Sequence, residues 1–224
     1  MEDIVKIIDR EIVQKMDNEL KLINVQGVVL KVCGVKWARE GKLITDDASV
    51  TYKIVDVNYE TSEITLDSTF TGQKAFLYRP IFVHGTPRET NEEWTKNPIF
   101  EWEKLPVIWL VEPFDETPFG RESSIERESE IRCVFFDSRD GTQWLTKNIH
   151  EYRTQSLLNM IEEFNLTVQK NRIFKRTEQS RLRNLNKLGT ESLGSFEKNI
   201  INADLTAIDY RKTLSIYREY KCVC

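Results

Sequence analysis

The sequence predicts an α+β fold: a largely antiparallel sheet covered by helices, an α-β-β-α-β-β core, with a small all-β domain inserted into it. Three observations carry this expectation. One fully apolar run, Leu105 to Val111, sits among prolines and is followed by a long polar stretch. A block rich in Val and punctuated by Gly spans residues 22–83. Segments with helical periodicity lie at residues 3–16 and 147–169, on either side of both.

The elements follow in chain order. Ile4, Ile8 and Ile12 recur at helical spacing, Val5, Ile7 and Val13 widen the stripe, and Asp3 stands as N-cap. In "ASVTYKIVDVNYETSEITLDSTF" one arm places Tyr52 and Ile54 on a face, then slips so that Val55 and Val57 fall on faces of their own. The other arm alternates Ile64, Leu66 and Ser68, and "NYETSE" supplies the turn. "QKAFLYRPIFVHG" reads as a further strand interrupted at Pro80. Short strands with turns between them predict a small barrel or sandwich over residues 22–83. Residues 84–97 read as a connector, and residues 1–20 with 98–224 as the core domain.

"LPVIWLV" is too short for a helix and suits a buried central strand, with Pro106 at its start and Pro113 at its end. "DETPFGRESSIERESE" reads as an exposed loop or arm, and "IRCVFFDS" as the returning strand. A helix over residues 147–169 carries Ile149, Tyr152, Leu157, Leu158, Ile161 and Phe164 on its apolar face. "FKRTEQSRLRNLNKLG" continues as a second helical piece, and "INADLTAIDYRKTLSIYREYKCVC" closes the chain with two strands.

Charge narrows the function classes. The chain has 32 basic and 36 acidic side chains and a net charge of −4, which argues against a whole-molecule electrostatic nucleic-acid binder. The four cysteines, Cys33, Cys133, Cys222 and Cys224, are too few for a disulfide scaffold and read as reduced thiols. Cys222 and Cys224 read as packing on a last strand rather than as a metal or redox pair. The opening "MEDIVKIIDREIVQKM" carries acids at once and no long apolar core, so no secretory signal is read. No apolar run approaches the roughly 20 residues of a membrane span. No phosphate-binding glycine motif and no H-E-x-x-H is found, and His84 and His150 stand far apart. No catalytic residue, cofactor or metal ligand is assigned.

Two charged stretches remain. In "RESSIERESE" and just after it the acids interleave with Arg121, Arg127 and Arg132, as in a solvated loop or an arm crossing onto a neighbouring subunit. Residues 170–187 carry Arg172, Lys175, Arg176, Arg181 and Arg183, with Lys170 and Lys187, against the single acid Glu178. This stretch fits a nucleic-acid footprint, a basic helix docking on an acidic protein, or a plain solvated face. Trp94 and Trp102, in and beside the connector, are candidate interface anchors.

"LPVIWLVEPFDE", "SEIRCVFFDS", the helix "HEYRTQSLLNMIEEF" and the closing "NIINADLTAIDYRKTLSI" together resemble the tail-terminator and tail-completion proteins of tailed bacteriophages. The resemblance covers residues 1–20 and about 98–224; the β insertion departs from the simplest members. It implies a non-enzymatic virion protein, made in the host cytoplasm, forming a homo-oligomeric ring in the neck. Its expected partners are its own copies, portal or other neck rings and tail proteins, with genome DNA passing through the lumen unbound. The alternative class is a nucleic-acid-binding accessory protein that uses the β insert as an OB-like barrel and the stretch 170–187 as its footprint.

Overall fold

The computed structural model describes residues 3–96, 106–113, 116–119, 126–138, 149–174, 181–184 and 205–216. Two compact units emerge. Met1–Lys15, Pro80–Thr142 and Asn165–Cys224 form one, and Met16–Arg79 with Gln143–Phe164 form the other.

Of the described residues, 45% lie in strands and 24% are helical, and the strands make two sheets. The expected α+β sheet covered by helices is therefore corrected to a mostly-β architecture. Three misread segments account for the difference. Residues 84–97, expected as a connector, complete one strand and form a helix. The polar stretch after Pro113 contributes strands where a loop or arm was expected. The basic segment after residue 170, expected as helix, contains a strand. Lys, Arg and Leu favour helices in isolation, but pairing with a long neighbour outweighs a propensity of a few tenths of a kcal/mol per residue.

In the second unit the strands are β1 (Glu19–Leu20), β2 (Leu22–Gln26), β3 (Val29–Val32), β4 (Leu43–Asp46), β5 (Thr51–Asn58), β6 (Glu63–Leu66) and β7 (Ala75–Leu77). Their order is β1-β7-β4-β5-β6-β3-β2, and every pairing is antiparallel. Only Lys21 separates β1 from β2, so the first and last members of that order are one extended segment. The sheet thus closes on itself as a barrel. Leu20, Leu30, Ile44, Tyr52, Ile54, Ile64 and Leu77 are buried by the alternation of its strands. The slip expected near Val55 is a bulge between Ile54 and Asp56. It leaves Val55 47% exposed and restores Val57 to the core at 1%.

In the first unit a helical segment begins with α1 (Ile4–Ile7) and continues as a π turn (Ile8–Ile12) and a 3-10 turn (Val13–Lys15). The Asp3 carboxylate caps it, accepting from the Val5 amide at 3.1 Å. Ile4, Val5, Ile7, Ile8, Ile12 and Val13 are all buried, as the stripe requires. The unit's sheet runs β12-β13-β11-β9-β8. These strands are β8 (Ile81–Gly85), β9 (Val107–Val111), β11 (Glu126–Ser138), β12 (Arg181–Asn184) and β13 (Leu205–Ile216), with β10 (Glu116–Phe119) beside β11. Only β8 and β9 pair in parallel among these. Pro80 therefore does more than interrupt a strand. It separates β7 from β8, which belong to different sheets.

Helix α2 (Pro87–Lys96) occupies the expected connector. Its start is a capping box. The Thr86 hydroxyl accepts from the Glu89 amide at 3.3 Å, and Glu89 Oε2 accepts from the Thr86 amide at 3.0 Å. Pro87 at the first position needs no hydrogen bond. Helix α3 (Ile149–Lys170) contributes residues to both units.

Candidate interaction surface

The apolar run that opens the core is β9, and all five of its residues are buried. It pairs with β11 from Val107↔Phe136 to Leu110↔Cys133 and with β8 on its other side, so it is a central strand. Trp109 is fully buried, and its indole Nε1 donates to the Gly85 carbonyl at 3.1 Å.

Further along β11, on the edge that β9 leaves, β10 takes over from Glu116↔Ser129 to Phe119↔Glu126. The hairpin therefore has two halves, an apolar one paired inside the sheet and a polar one that continues the ladder. On its other edge β11 pairs with β13 without a break, from Arg127↔Ile216 to Ser138↔Leu205.

Strand alternation sorts the side chains of β11 and β13 onto two faces. One face carries Ser129, Ile131, Cys133 and Phe135 beside Ile208, Tyr210, Lys212 and Leu214, all buried. Phe135 and Tyr210 meet edge to face, with ring centroids 5.6 Å apart. The Asn165 side-chain oxygen, on α3, accepts from both the Tyr210 hydroxyl at 2.7 Å and Lys212 Nζ at 2.8 Å. Burial holds the Lys212 pKa below the ordinary lysine value. Burial, with Asp209 adding to it, pushes the Cys133 thiol well above the ordinary cysteine range, so it stays protonated and poorly nucleophilic.

The other face changes character along its length. Val134 and Phe136 are fully buried. Next comes an ion cluster. The Asp209 carboxylate, 2% exposed, accepts from Arg132 Nε at 3.1 Å and has Arg211 Nη2 at 3.7 Å. Arg181 of β12 pairs directly opposite Arg211 and is exposed. Beyond Arg132 the same face presents Glu130 and Glu128, both exposed.

Among the sequence-predicted residues, Arg181 joins this face. Arg183 lies in β12 opposite Asp209, and Arg127 in β11 opposite Ile216 and Pro118. Arg172 is exposed just after α3, and Trp94 lies in α2. Arg121, Lys175, Arg176 and Trp102 fall outside the described residues, as do Cys222 and Cys224. The expected helix over 170–187 is not the carrier of the basic charge at Arg181 and Arg183, because these sit on an edge strand.

Sequence reasoning did not single out Asp209 or Arg211 as members of a site. Each is visible in the alternating "DLTAIDYRKTLSI", but their meeting with Arg132 depends on a register that the sequence does not state. His84 Nδ1 lies 2.8 Å from Glu112 Oε1 at the sheet's β8–β9 end, both partly exposed. Among the described residues no group of three or more His, Cys, Asp or Glu could hold a metal ion, and no helix is long and apolar enough to cross a membrane. No protein-family model matches the chain, and no curated protein matches it either.

Proposed function

We propose that this chain is a non-enzymatic structural subunit that assembles with copies of itself into a ring. In this reading the ring stands in the neck of a tailed bacteriophage, between portal and tail. The support from the sequence is the likeness of residues 98–224 to tail-terminator and tail-completion proteins. The observation that carries the proposal is the two-part hairpin. Its β9 half is anchored by five buried residues. Its β10–β11 half extends the same ladder and offers exposed acids in place of core residues. A hairpin built this way holds a charged element in a fixed direction, which suits contact with a neighbouring subunit. The partners are further copies, portal or other neck rings and tail proteins. A net charge of −4 suits a lumen through which DNA slides without adhering.

The test is mass spectrometry and imaging of purified particles, together with native mass measurement of the isolated protein. A closed ring of fixed copy number at the neck is the expected result. Absence from particles, or a protein that stays monomeric at high concentration, overturns the proposal. Nanomolar DNA binding with a steep salt slope at physiological ionic strength overturns it in favour of a nucleic-acid-binding accessory protein.

A further inference from the structure

A strand left at the edge of a sheet is usually protected from pairing by short length, charge or proline. Two edge strands of this sheet follow that rule. β12 has four residues and carries Arg181 and Arg183, and β10 carries Glu116 and Pro118. β8 does not. Its five residues read Ile-Phe-Val-His-Gly, with no proline, acid, lysine or arginine. Ile81 and His84 are exposed, and Phe82 and Val83 are half-buried. The ladder fixes which main-chain groups are open. β8 runs parallel to β9, the Ile81 amide donating to the Pro106 carbonyl at 2.9 Å and the Glu112 amide to the Gly85 carbonyl at 3.0 Å. Alternate residues of a strand bond to one neighbour, so Ile81, Val83 and Gly85 serve β9. The amides and carbonyls of Phe82 and His84 point away from it, and among the described residues no main-chain bond reaches them.

We propose that β8 pairs with β8 of a second copy, antiparallel, about a two-fold axis centred on Val83. The inference is separate from the ring reading, because such a contact is isologous and yields a pair. Register selects the centre. With the axis at Val83, Phe82 lies opposite His84 of the second copy, and every outward amide meets an outward carbonyl. An axis at Phe82 would set His84 against Pro80, which has no amide. An axis at His84 would set Phe82 against Thr86, whose amide already donates to Glu89 Oε2 at 3.0 Å. The side chains agree with the same register. Val83 meets Val83 of the second copy, and Ile81 falls opposite Gly85, a large side chain against none. On the other face of the strand His84 is stacked on its own Phe82, with ring centroids 6.3 Å apart, and held by Glu112 at 2.8 Å. It lies beside Phe82 of the second copy. Five residues a side is far below the roughly 20 to 30 of a standard interface, so the pair is weak and forms as concentration rises.

The first test uses the unaltered chain, read by analytical ultracentrifugation and residue-resolved amide hydrogen exchange from about 10 μM to about 1 mM, the range of weak contacts. A monomer–dimer equilibrium is expected. The Phe82 and His84 amides should exchange at least ~10-fold more slowly at the high end, while those of Ile81, Val83 and Gly85, bonded within the chain, change little. A chain that stays monomeric throughout, or a pair that leaves Phe82 and His84 unprotected, overturns the proposal. The second test places charge at the axis. Val83→Lys and Val83→Glu should each pair at least ~10-fold more weakly than the unaltered chain, because like charges then stand directly opposite. An equimolar mixture should pair again, since opposite charges then meet. Variants that pair as well as the parent overturn the two-fold register. So do variants that keep the parent's circular dichroism, lose pairing and regain nothing on mixing.

Discussion

Trp109→Ala is the sharpest test of the sheet. The side chain is 0% exposed, in a strand paired on both edges. Removing a large core aromatic typically costs about 3 to 5 kcal/mol, transfer and cavity together. The lost indole hydrogen bond adds little here. Its acceptor, the Gly85 carbonyl, also accepts from the Glu112 amide at 3.0 Å, so the truncation does not orphan it. The expected cost is therefore about 4 kcal/mol, a large share of the roughly 5 to 15 kcal/mol that holds a domain. Trp109→Phe keeps most of the ring and should cost less than half as much. Urea unfolding followed by circular dichroism measures both as shifts in midpoint. An unchanged midpoint for Trp109→Ala, together with lost self-association, would refute the argument and make β9 an interface segment.

Three further substitutions probe separate features. Lys212→Met should stabilise the protein at neutral pH. Burial lowers the Lys212 pKa, so the folded chain bears a charge penalty below its folded pKa that is relieved as pH rises toward the ordinary lysine value of 10.5. The advantage of Met should accordingly shrink in alkaline melts; an advantage that grew with pH would contradict this sign. Gly72→Ala should destabilise the barrel by about 2 kcal/mol through overpacking. A Cβ there would lie 2.4 Å from Asp46 Cβ, and Asp46 is fixed by bonds from the Ala48 and Val50 amides and the Tyr52 hydroxyl. A thermal melt of the variant that matched the parent would show that this loop yields. Thr86→Ala should raise the Glu89 pKa toward the ordinary carboxylate value. The bonds that hold it down come from the Thr86 amide and hydroxyl, and only the second is removed. Carboxyl carbon NMR titration measures the change, and an unaltered midpoint would count against the capping box.

Periodicity and punctuation in the sequence were enough to read many of the strands and the first helix, although the closing stretch, read as two strands, is among the described residues one strand over Leu205–Ile216. Ile4, Ile8 and Ile12 mark one buried stripe, and Val107 to Val111 one central strand, because apolar spacing is a local property. The slip at Val55 was legible for the same reason: a bulge shifts alternation within a single strand. What pairs with what was not legible. Arg181 to Asn184 has a helix-forming composition, and only the neighbouring β13 makes it a strand. Glu116 to Phe119 looks like solvent-bound loop, because its partner begins seven residues later, at Glu126, and is just as polar. The capping box at Thr86 and Glu89, by contrast, was open to a local reading: Thr-Pro-x-Glu carries its own signature. For the candidate surface, the basic stretch was noticed but placed on the wrong element. The Arg132–Asp209–Arg211 cluster joins residues 77 positions apart and needs the register before it exists.

The division of the hairpin has an energetic logic. A flexible arm that ordered only on meeting a neighbour would lose about 1 to 2 kcal/mol of backbone entropy per residue at that moment. Salt bridges of an exposed kind return about 0 to 1 kcal/mol each, so a charged arm of that sort would associate weakly. Here β10 and the first half of β11 are already laddered, to each other and to β13. Their ordering is carried by folding, in which buried residues such as Ile131 and Trp109 outweigh it. On the proposed assembly reading, the exposed Glu128 and Glu130 would then lose only side-chain freedom on meeting a neighbour. On that reading, stability and association would therefore draw on different halves of one hairpin. Truncations in β9 should register in melting, and reversals at Glu128 and Glu130 in self-association.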